Sequence, residues 1–294
     1  MEELLPIFCD VDDFCIEYEK YCKTHLLMET DQIMPKTSLS LSEIMTIVIY
    51  FHLSNYKTFK WYYLQFVCIT LKPYFPKLVS YNRFVEIMKM AIVPLTLYLI
   101  KYRLGKSTGI NFVDSTTLDV CDNHRISSHK VFKGFAERGK SSTGWFYGFK
   151  LHLAINDRGE ILSFCLTSGN VDDRNWEVMS HLTKEMFGKL FADRGYLSQK
   201  LFEKLFENNI TLITKLKSNM KNRLMNFYDK VLLRKRAVIE SVNDFLKNIC
   251  QIEHSRHRSV DNFMVNLLSA LIAYSFIPKK PSIHFDSKLL ACIH

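Results

Sequence analysis

Two short apolar runs in this chain each stop on an aspartate. Ile110-Asn111-Phe112-Val113 is followed by Asp114, and Lys189-Leu190-Phe191-Ala192 is followed by Asp193. Short apolar runs that end at turn-forming residues predict buried strands. In an open sheet of alternating strands and helices, ligands bind beyond the carboxyl ends of the strands, so carboxylates there are candidates for chemistry. Each aspartate taken alone is also typical of a turn cap at a strand end.

A third carboxylate follows on a predicted amphipathic helix that begins near Arg234. Glu240 lies four residues after Arg236 and seven before Lys247, which places the three side chains on one helix face. A glutamate between two cations is also the pattern of a solvated ion pair, worth about 0.3–0.5 kcal/mol. The opposite face of the predicted helix is apolar and carries Val238, Val242, Phe245 and Ile249.

Three carboxylates within a basic α/β chain favour a catalytic metal site over these structural alternatives. If the two strands are neighbours, Asp114 and Asp193 lie side by side and repel each other unless they share a cation. Oxygen ligands suit Mg²⁺ or Mn²⁺, and a pair of such ions assists both the attacking and the leaving oxygen in phosphodiester chemistry. We therefore expect two Mg²⁺ ions, replaceable by Mn²⁺, with Glu240 completing the ligand set.

The charge balance of the chain indicates a polyanionic partner. The net charge is +9 and the pI is about 9.0, which favours nucleic acid, although an anionic membrane surface also suits a basic chain. The longest apolar run, residues 262–277, is interrupted by polar residues and is short for a bilayer span. It predicts a buried helix and no membrane partner. The eight cysteines form no Cys-x-x-Cys pair, which argues against a zinc ribbon.

The pattern of apolar residues changes near residue 104. Residues 1–103 predict a helical domain whose short helices suit either a helix-turn-helix-like DNA reader or an accessory bundle. Residues 110–280 predict strands alternating with helices and contain a basic insertion at 119–147, and residues 281–294 form a tail. The elements predicted after the insertion are a hairpin turning at Asp157-Arg158-Gly159, helices at 173–187 and 198–208, and a strand at 210–215.

The motifs around the three carboxylates resemble those of a known family. Asp114-Ser115-Thr116, Asp193-Arg194-Gly195-Tyr196 and Arg236-x3-Glu240-x6-Lys247 are similar to motifs of the DDE transposases of bacterial insertion sequences, in particular the family of insertion sequence 982. Two further segments share the resemblance, Gly144 to His152 and Gly169 to Arg174. The resemblance covers roughly residues 40–280.

The resemblance implies an α/β fold: a ribonuclease-H-like mixed sheet flanked by helices, preceded by an all-helical N-terminal domain that helps to bind transposon ends. It also implies that the three carboxylates are the catalytic metal ligands and that Arg236 and Lys247 face phosphates. In many related transposases a tyrosine stands three residues before the arginine. Leu233 occupies that position here, so no contact of a tyrosine hydroxyl carries over.

Further basic residues are expected to track the DNA backbone, because each neutralised phosphate releases counterions. They are Arg234, Lys235, Lys215, Lys217, Lys130, Lys133, Arg256 and Arg258. The expected partner is double-stranded DNA, both as the terminal inverted repeats of the element and as target DNA, bound by a dimer or a larger assembly. The expected location is the bacterial cytoplasm, at the nucleoid.

Four other residues have two readings each. His152, between Leu151 and Leu153, is expected to be an ordinary sheet-surface histidine rather than a ligand. Asp172 and Asp173 suit the start of a helix, where carboxylates satisfy free N–H groups, or a secondary role near the metals. Trp145 suits either plain packing or stacking on an unpaired base, which is worth about 1–3 kcal/mol per base.

Together these features predict a Mg²⁺-dependent DNA transposase. It would cleave DNA at the 3′ ends of its element and join the new hydroxyls to target DNA. One alternative is a nuclease of the same fold that hydrolyses nucleic acid without joining strands. The other is a transposase remnant that binds DNA without catalysis, for example as a repressor.

Overall fold

The computed structural model describes residues 3–25, 37–141, 144–215, 225–253 and 257–283. The chain forms two compact units, which we call the helical unit and the sheet unit. The helical unit comprises Met1–Arg103 and Leu246–Ile277, and the sheet unit comprises Leu104–Phe245 and Pro278–His294. Among the helices in the described ranges, none combines the length and the hydropathy that crossing a bilayer requires.

The N-terminal part of the helical unit confirms the predicted all-helical region. Its helices are α1 (Leu4–His25), α2 (Leu41–Phe51), α3 (Phe59–Trp61, continued by the π-helical Tyr62–Thr70), α4 (Tyr81–Ile87) and α5 (Ile92–Tyr98, continued by Leu99–Arg103). A capping box begins α2, because Ser40 Oγ accepts from the Glu43 N–H and Glu43 Oε2 accepts from the Ser40 N–H. These two bonds fix where α2 begins.

One mixed sheet forms the centre of the sheet unit. Its described strands are β1 (Ile110–Cys121), β2 (Glu137–Ser141), β3 (Gly144–Asn156), β4 (Ile161–Ser168), β5 (Gly188–Ala192) and β6 (Ile210–Thr214). The spatial order is β2-β3-β1-β5-β6, with β4 also paired to β3. β1 is antiparallel to β3 and parallel to β5, and β6 is parallel to β5. The predicted α/β fold with a ribonuclease-H-like mixed sheet is therefore confirmed.

Helices cover both faces of this sheet. They are α6 (Trp176–Thr183), α7 (Gln199–Glu207), α8 (Phe227–Lys235) and α9 (Ala237–Asn248). On one face Leu190 of β5 belongs to the core that α6 and α7 complete with Met179 and Leu205. The neighbouring Lys189 donates to Asp229 of α8 at 2.6 Å. Because successive strand residues point to opposite faces, α8 lies on the other side of the sheet.

The last described helix, α10 (Val260–Ser275), belongs to the helical unit. It is buried on nearly all sides and packs against α2 and α5. The sequence predicts one catalytic region at 110–280, which would place this helix with the strands. The fold groups this helix with the N-terminal helices.

Three elements differ in extent from the predictions. β1 does not end at Asp114 but continues to Cys121, because its antiparallel pairing with β3 continues beyond that aspartate. The basic insertion at 119–147 is not irregular throughout, because it contains β2, which pairs with β3. The helix predicted at 173–187 begins later, at Trp176, because the Asn175 side chain caps it by accepting from the Glu177 N–H at 2.8 Å, and it ends at Thr183.

The helix predicted around Glu240 is interrupted, whereas the predicted hairpin is present. α8 ends and α9 begins on either side of Arg236, so this arginine lies at a junction rather than within a helix. β3 and β4 form the hairpin through a turn in which Gly159 has φ +74°. A side chain at Gly159 would also collide with the carbonyl of Pro281.

Candidate active site

Asp114 and Asp193 lie beside each other where two parallel strands separate. The parallel pairing of β1 with β5 ends at Phe112 and Phe191, and the same register continued by two residues brings Asp114 opposite Asp193. β5 ends at Ala192, just before Asp193, whereas β1 continues along β3. Neighbouring strands are about 4.8 Å apart. The two carboxylates therefore stand at the edge where the sheet opens.

Asp114 contacts the segment that joins α8 to α9. Its side chain is 20% exposed, and its Oδ2 accepts from the Asn243 Nδ2 at 3.3 Å. The Nη1 of Arg236 lies 3.9 Å from the same oxygen. One carboxylate oxygen thus faces an amide donor from α9 and a guanidinium from the junction.

Burial raises the pKa of Asp114 to about 6. The positive charge of Arg236 and the backbone N–H of the following residue lower this pKa, while the negative charges of Glu240 and Asp193 raise it. Glu240 and Asp193 are therefore both close enough to Asp114 to affect its ionisation. Arg236 is the cation that lies beside Asp114 and Glu240, so one guanidinium faces two of the three carboxylates.

Glu240 lies in the first turn of α9 and is 55% exposed. Its carboxylate accepts a hydrogen bond from the Nη2 of Arg236, whose side chain is only 14% exposed. The sequence predicted that these two residues share the face of one helix. They instead pair across the start of α9, because Arg236 precedes it. We call Asp114, Asp193, Arg236, Glu240 and Asn243 the Asp114 cluster.

The Asp114 cluster has the chemistry of a metal site but not the closed geometry of one. Within the described ranges, no group of three His, Cys, Asp or Glu side chains is placed to hold a metal ion. Glu240 is directed at Arg236 instead of at the two aspartates. The donor set nevertheless fits a divalent cation, because carboxylate oxygens are the ligands that Mg²⁺ and Mn²⁺ prefer.

The faces of α9 differ from the prediction towards its C-terminal end. Val238 and Val242 are buried, as the apolar face requires, but Ile249 is 45% exposed because α9 ends at the preceding residue. Lys247, in the last turn, forms an ion pair with Glu253 at 3.1 Å.

The cations predicted to contact DNA are distributed over both units. Those exposed to solvent are Lys130, Lys133, Lys215, Arg234 and Arg258. Lys235 is half-buried, and Lys217 and Arg256 lie outside the described residues.

A second polar cluster surrounds Asp173. The Oδ1 of Asp173 accepts from Ser115 Oγ at 2.9 Å and from Lys150 Nζ at 3.1 Å. Lys150 also donates to the Val171 carbonyl at 2.8 Å. Because Ser115 follows Asp114 along β1, its side chain points to the opposite face of the strand. The second cluster therefore adjoins the first across β1.

One of the two predictions placed Asp172 and Asp173 at the start of a helix, and the structure contradicts it. α6 begins at Trp176, after the capping Asn175. Asp172 instead pairs with Arg174, and this pairing lowers the pKa of Asp172 to about 2. The two aspartates follow β4 in a turn, where each has a cation as partner.

His152 is fully buried, so the prediction of a sheet-surface histidine was wrong. It is the register partner of Ser115 and lies in the sheet beside Thr167, whose hydroxyl is 2.9 Å from its Nε2. Its Nδ1 has no hydrogen-bond partner in the described structure and lies 3.9 Å from Asp173 Oδ1. Burial lowers the pKa of His152 to about 4, although the charge of Asp173 opposes that shift.

We call Ser115, Lys150, His152, Thr167 and Asp173 the Asp173 cluster. Sequence reasoning did not single out two of the polar residues that the clusters use, Asn243 and Lys150. Each carries a signal in retrospect. Asn243 is a buried amide in the apolar stripe of α9, and Lys150 is a lysine within the largely apolar strand β3.

The sheet unit matches a protein family. The model of the family described as the transposase DDE domain matches residues 104–260, which is more than half of the 294-residue chain. The chain therefore belongs to the DDE transposases. The matched range contains Asp114, Asp193 and Glu240.

Similarity to individual proteins is remote. The structure resembles that of a piggyBac transposase determined by cryo-electron microscopy as a synaptic complex with hairpin DNA. The two chains share 10% sequence identity with a TM-score of 0.45, over 85% of this chain and 68% of that chain. No curated protein matches the sequence.

Proposed function

We propose that this chain is a metal-dependent transposase of a bacterial insertion sequence, and that it belongs to the family of insertion sequence 982. It cleaves DNA at the 3′ ends of its element and transfers the new hydroxyls into target DNA. Its substrates are the terminal inverted repeats and the target duplex, and it works in the bacterial cytoplasm as a dimer or larger assembly on the nucleoid.

The observation that carries this proposal is the juxtaposition of Asp114 and Asp193 at the end of paired parallel strands. Glu240 lies near enough that its charge raises the pKa of Asp114. All three carboxylates lie within the range that matches the transposase DDE domain. We assign all three as catalytic residues.

A divalent cation, Mg²⁺ or Mn²⁺, fits this cluster, and two such ions suit the reaction. Asp114, Asp193 and Glu240 would hold them, and when bound they supply Lewis-acid assistance to phosphodiester cleavage. Asn243 fixes the orientation of the Asp114 carboxylate through its hydrogen bond. Arg236 holds Glu240 and keeps a guanidinium at the site, where a phosphate oxygen is its natural partner.

The basic residues on the surface are assigned to the DNA backbone. Two of them, Arg234 and Lys235, directly precede Arg236 in the chain, and Lys215 directly follows β6. The insertion contributes Lys130 and Lys133. Lys217, Lys247, Arg256 and Arg258 extend the set. Binding that relies on such contacts weakens steeply with salt, so a flat salt dependence would contradict this assignment.

The test is cleavage and joining of labelled duplex DNA that carries the ends of the element. Wild type, Glu240→Gln and Glu207→Gln are compared in Mg²⁺, Mn²⁺, Ca²⁺ and EDTA. Glu207 is the matched control, because it is an exposed carboxylate at the end of α7. We expect nicking and joining by wild type and Glu207→Gln in Mg²⁺ or Mn²⁺, loss in EDTA, and loss in Glu240→Gln.

The same experiment separates the alternatives. Hydrolysed ends without joined product would favour a nuclease of this fold. Binding without cleavage in every metal, equal for all three proteins, would identify a non-catalytic DNA-binding protein.

A further inference from the structure

Two sequence motifs that the three carboxylates leave unused meet in one groove of the sheet unit. The segments are Gly144 to His152 and Gly169 to Arg174, from the start of β3 and the turn after β4. Trp145 and Lys150 of the first segment and residues 169–174 of the second line a groove of about 410 Å³, together with residues of β2 and with Gly195, two residues beyond Asp193. The two segments therefore meet at one groove although residues 153–168 separate them in the sequence.

Trp145 presents an aromatic surface at this groove. Its side chain is 55% exposed, which contradicts plain packing as its role. In the pairing of β2 with β3, Lys140 is the register partner of Trp145, and Arg138 is two residues away on the same face. The Arg138 guanidinium lies 5.5 Å from the centre of the indole ring, and the Lys140 ammonium lies 5.7 Å from it.

The charge of the groove favours an anion. Its lining contains four cations, Arg138, Lys140, Lys150 and Arg174, and two carboxylates, Asp172 and Asp173. The two carboxylates are committed to ion pairs with Arg174 and Lys150. Arg138 and Lys140 have no carboxylate partner among the residues that the structure describes. The positive charge that remains therefore lies beside the indole of Trp145.

Glycines set the size of the groove. A side chain on Gly139 would place its Cβ 2.1 Å from the carbonyl oxygen of Gly169, so β2 approaches the end of β4 closely only because both residues are glycines. A Cβ on Gly195 would meet nothing within 4 Å, so the groove is open on the side that adjoins Asp193. A volume of 410 Å³ suits a small ligand and not a duplex, since ligand pockets span about 300–1,000 Å³.

We infer that this groove binds one unpaired nucleotide of a DNA strand, with its base stacked on Trp145 and its phosphates facing Arg138 and Lys140. An exposed aromatic ring flanked by uncompensated cations is the combination that single-strand binding requires. The identification of the nucleic acid as DNA rests on the proposed function. The groove itself is argued from its own residues.

The test is binding of a short fluorescein-labelled oligothymidylate, followed by fluorescence anisotropy in EDTA with the full chain. The variants are Trp145→Ala, Trp145→Phe and the matched control Trp61→Ala, whose indole is 59% exposed in the helical unit. We expect Trp145→Ala to weaken binding between about 5-fold and 150-fold, the range for a base-stacking aromatic. Trp145→Phe should retain part of the affinity, and Trp61→Ala should bind as wild type.

A second measurement tests the phosphate contacts. Arg138→Gln and Lys140→Gln should each reduce the slope of log K against log salt by about 0.7, the value for one phosphate of a single strand. Unchanged oligothymidylate binding by Trp145→Ala, or an equal loss in Trp61→Ala, would overturn the inference. Thermal melts establish that each variant is folded, as expected for substitutions at exposed positions.

This experiment is independent of the proposed transposase activity. It needs neither a metal ion nor the terminal sequence of the element. If cleavage fails but oligothymidylate binding depends on Trp145, the groove is established without the transposase. If duplex ends are cleaved and joined while Trp145→Ala binds and reacts as wild type, the groove assignment is wrong and the transposase assignment remains.

Discussion

Two acidic clusters adjoin across a single strand, and their electrostatics differ. Asp114 and Ser115 are consecutive residues of β1, yet their side chains enter different clusters on opposite faces. In the Asp114 cluster the Arg236 guanidinium lies beside Asp114 and Glu240, Asp193 adds a third negative charge near Asp114, and burial raises the pKa of Asp114 to about 6. In the Asp173 cluster one carboxylate accepts from both Ser115 and Lys150.

This difference distinguishes a candidate reactive site from a cluster that supports the fold. A cluster that keeps uncompensated negative charge costs stability and is retained where a cation or a reacting group completes it. A carboxylate that has an ammonium and a hydroxyl as partners is already satisfied, and it stabilises the fold. We therefore assign chemistry to the Asp114 cluster and positioning of β1, β3 and the turn after β4 to the Asp173 cluster.

The largest expected effect comes from Asp114→Asn. The amide keeps the shape of the carboxylate but removes its charge, so cleavage of duplex ends should fall at least about 10³-fold, equivalent to several kcal/mol of lost transition-state stabilisation. The free energy of unfolding should be unchanged or higher, because the ionised form of Asp114 is disfavoured by burial. Cleavage assays and urea denaturation of the same preparation measure both quantities. Cleavage within tenfold of wild type would show that Asp114 is not catalytic.

The position of the aspartate pair, Asp114 and Asp193, was predictable because it depends on local signals. An apolar run that stops on an aspartate can be identified without knowledge of the fold, and both runs proved to be strands. β1 and β5 are adjacent because two segments far apart in the sequence pair with each other. From the sequence alone this pairing could be assumed but not predicted. The length of β1 depends on β3, which is why its end at Cys121 was missed.

The remaining differences concern features that have no local signal. The segment 227–248 contains neither glycine nor proline, so nothing in it marks the junction at Arg236. β2, Glu137–Ser141, has no apolar side chain at all and becomes a strand through its pairing with β3. The burial of His152 is decided by what covers that face of the sheet, and a strand with alternating polar residues does not specify which face is covered.

The next largest effect is a pH dependence of stability that arises in the Asp173 cluster. The pKa of His152 is lowered to about 4 by burial, next to Asp173 and Lys150, from an ordinary value of about 6.5. As the pH falls through this window, the unfolded chain takes up a proton that the folded chain does not. Stability should therefore be complete above pH 6.5 and fall by about 3 kcal/mol towards pH 4.

The variant His152→Gln isolates this contribution. His52 of the helical unit is also buried, with a pKa lowered to about 4, so the described part of the chain contains two such histidines. Urea denaturation between pH 4 and pH 7 should show a smaller loss of stability for His152→Gln than for wild type. Parallel curves for the two proteins would mean that His152 does not titrate in this window.

A smaller loss of stability is expected from Asp173→Asn. The variant keeps an acceptor for Ser115 but leaves the ammonium of Lys150, only 12% exposed, without its carboxylate. The free energy of unfolding should fall by about 2 kcal/mol. Asp172→Asn is the matched control, because Asp172 and Arg174 are both about half exposed and their pair contributes at most about 1 kcal/mol. Equal losses in the two variants would contradict the support role of the Asp173 cluster.

The smallest and sharpest comparison uses Ser115→Ala and Asn243→Ala, each of which removes one hydrogen-bond donor from one cluster. Ser115→Ala should lower the free energy of unfolding by about 1 kcal/mol and leave cleavage near wild type, because Asp173 loses a partner but Asp114 does not. Asn243→Ala should slow cleavage about tenfold, since Asp114 loses the donor that orients it.

The stability cost of Asn243→Ala should be smaller than that of Ser115→Ala. The amide oxygen of Asn243 is buried without a hydrogen-bond partner within the described structure, so its removal relieves a penalty that offsets the lost bond to Asp114. Denaturation measures the stability of each variant, and initial rates measure its cleavage activity. If Ser115→Ala slowed cleavage more than Asn243→Ala did, the division of labour between the two faces of β1 would be reversed, and Asp173 would have to be tested as a fourth catalytic carboxylate.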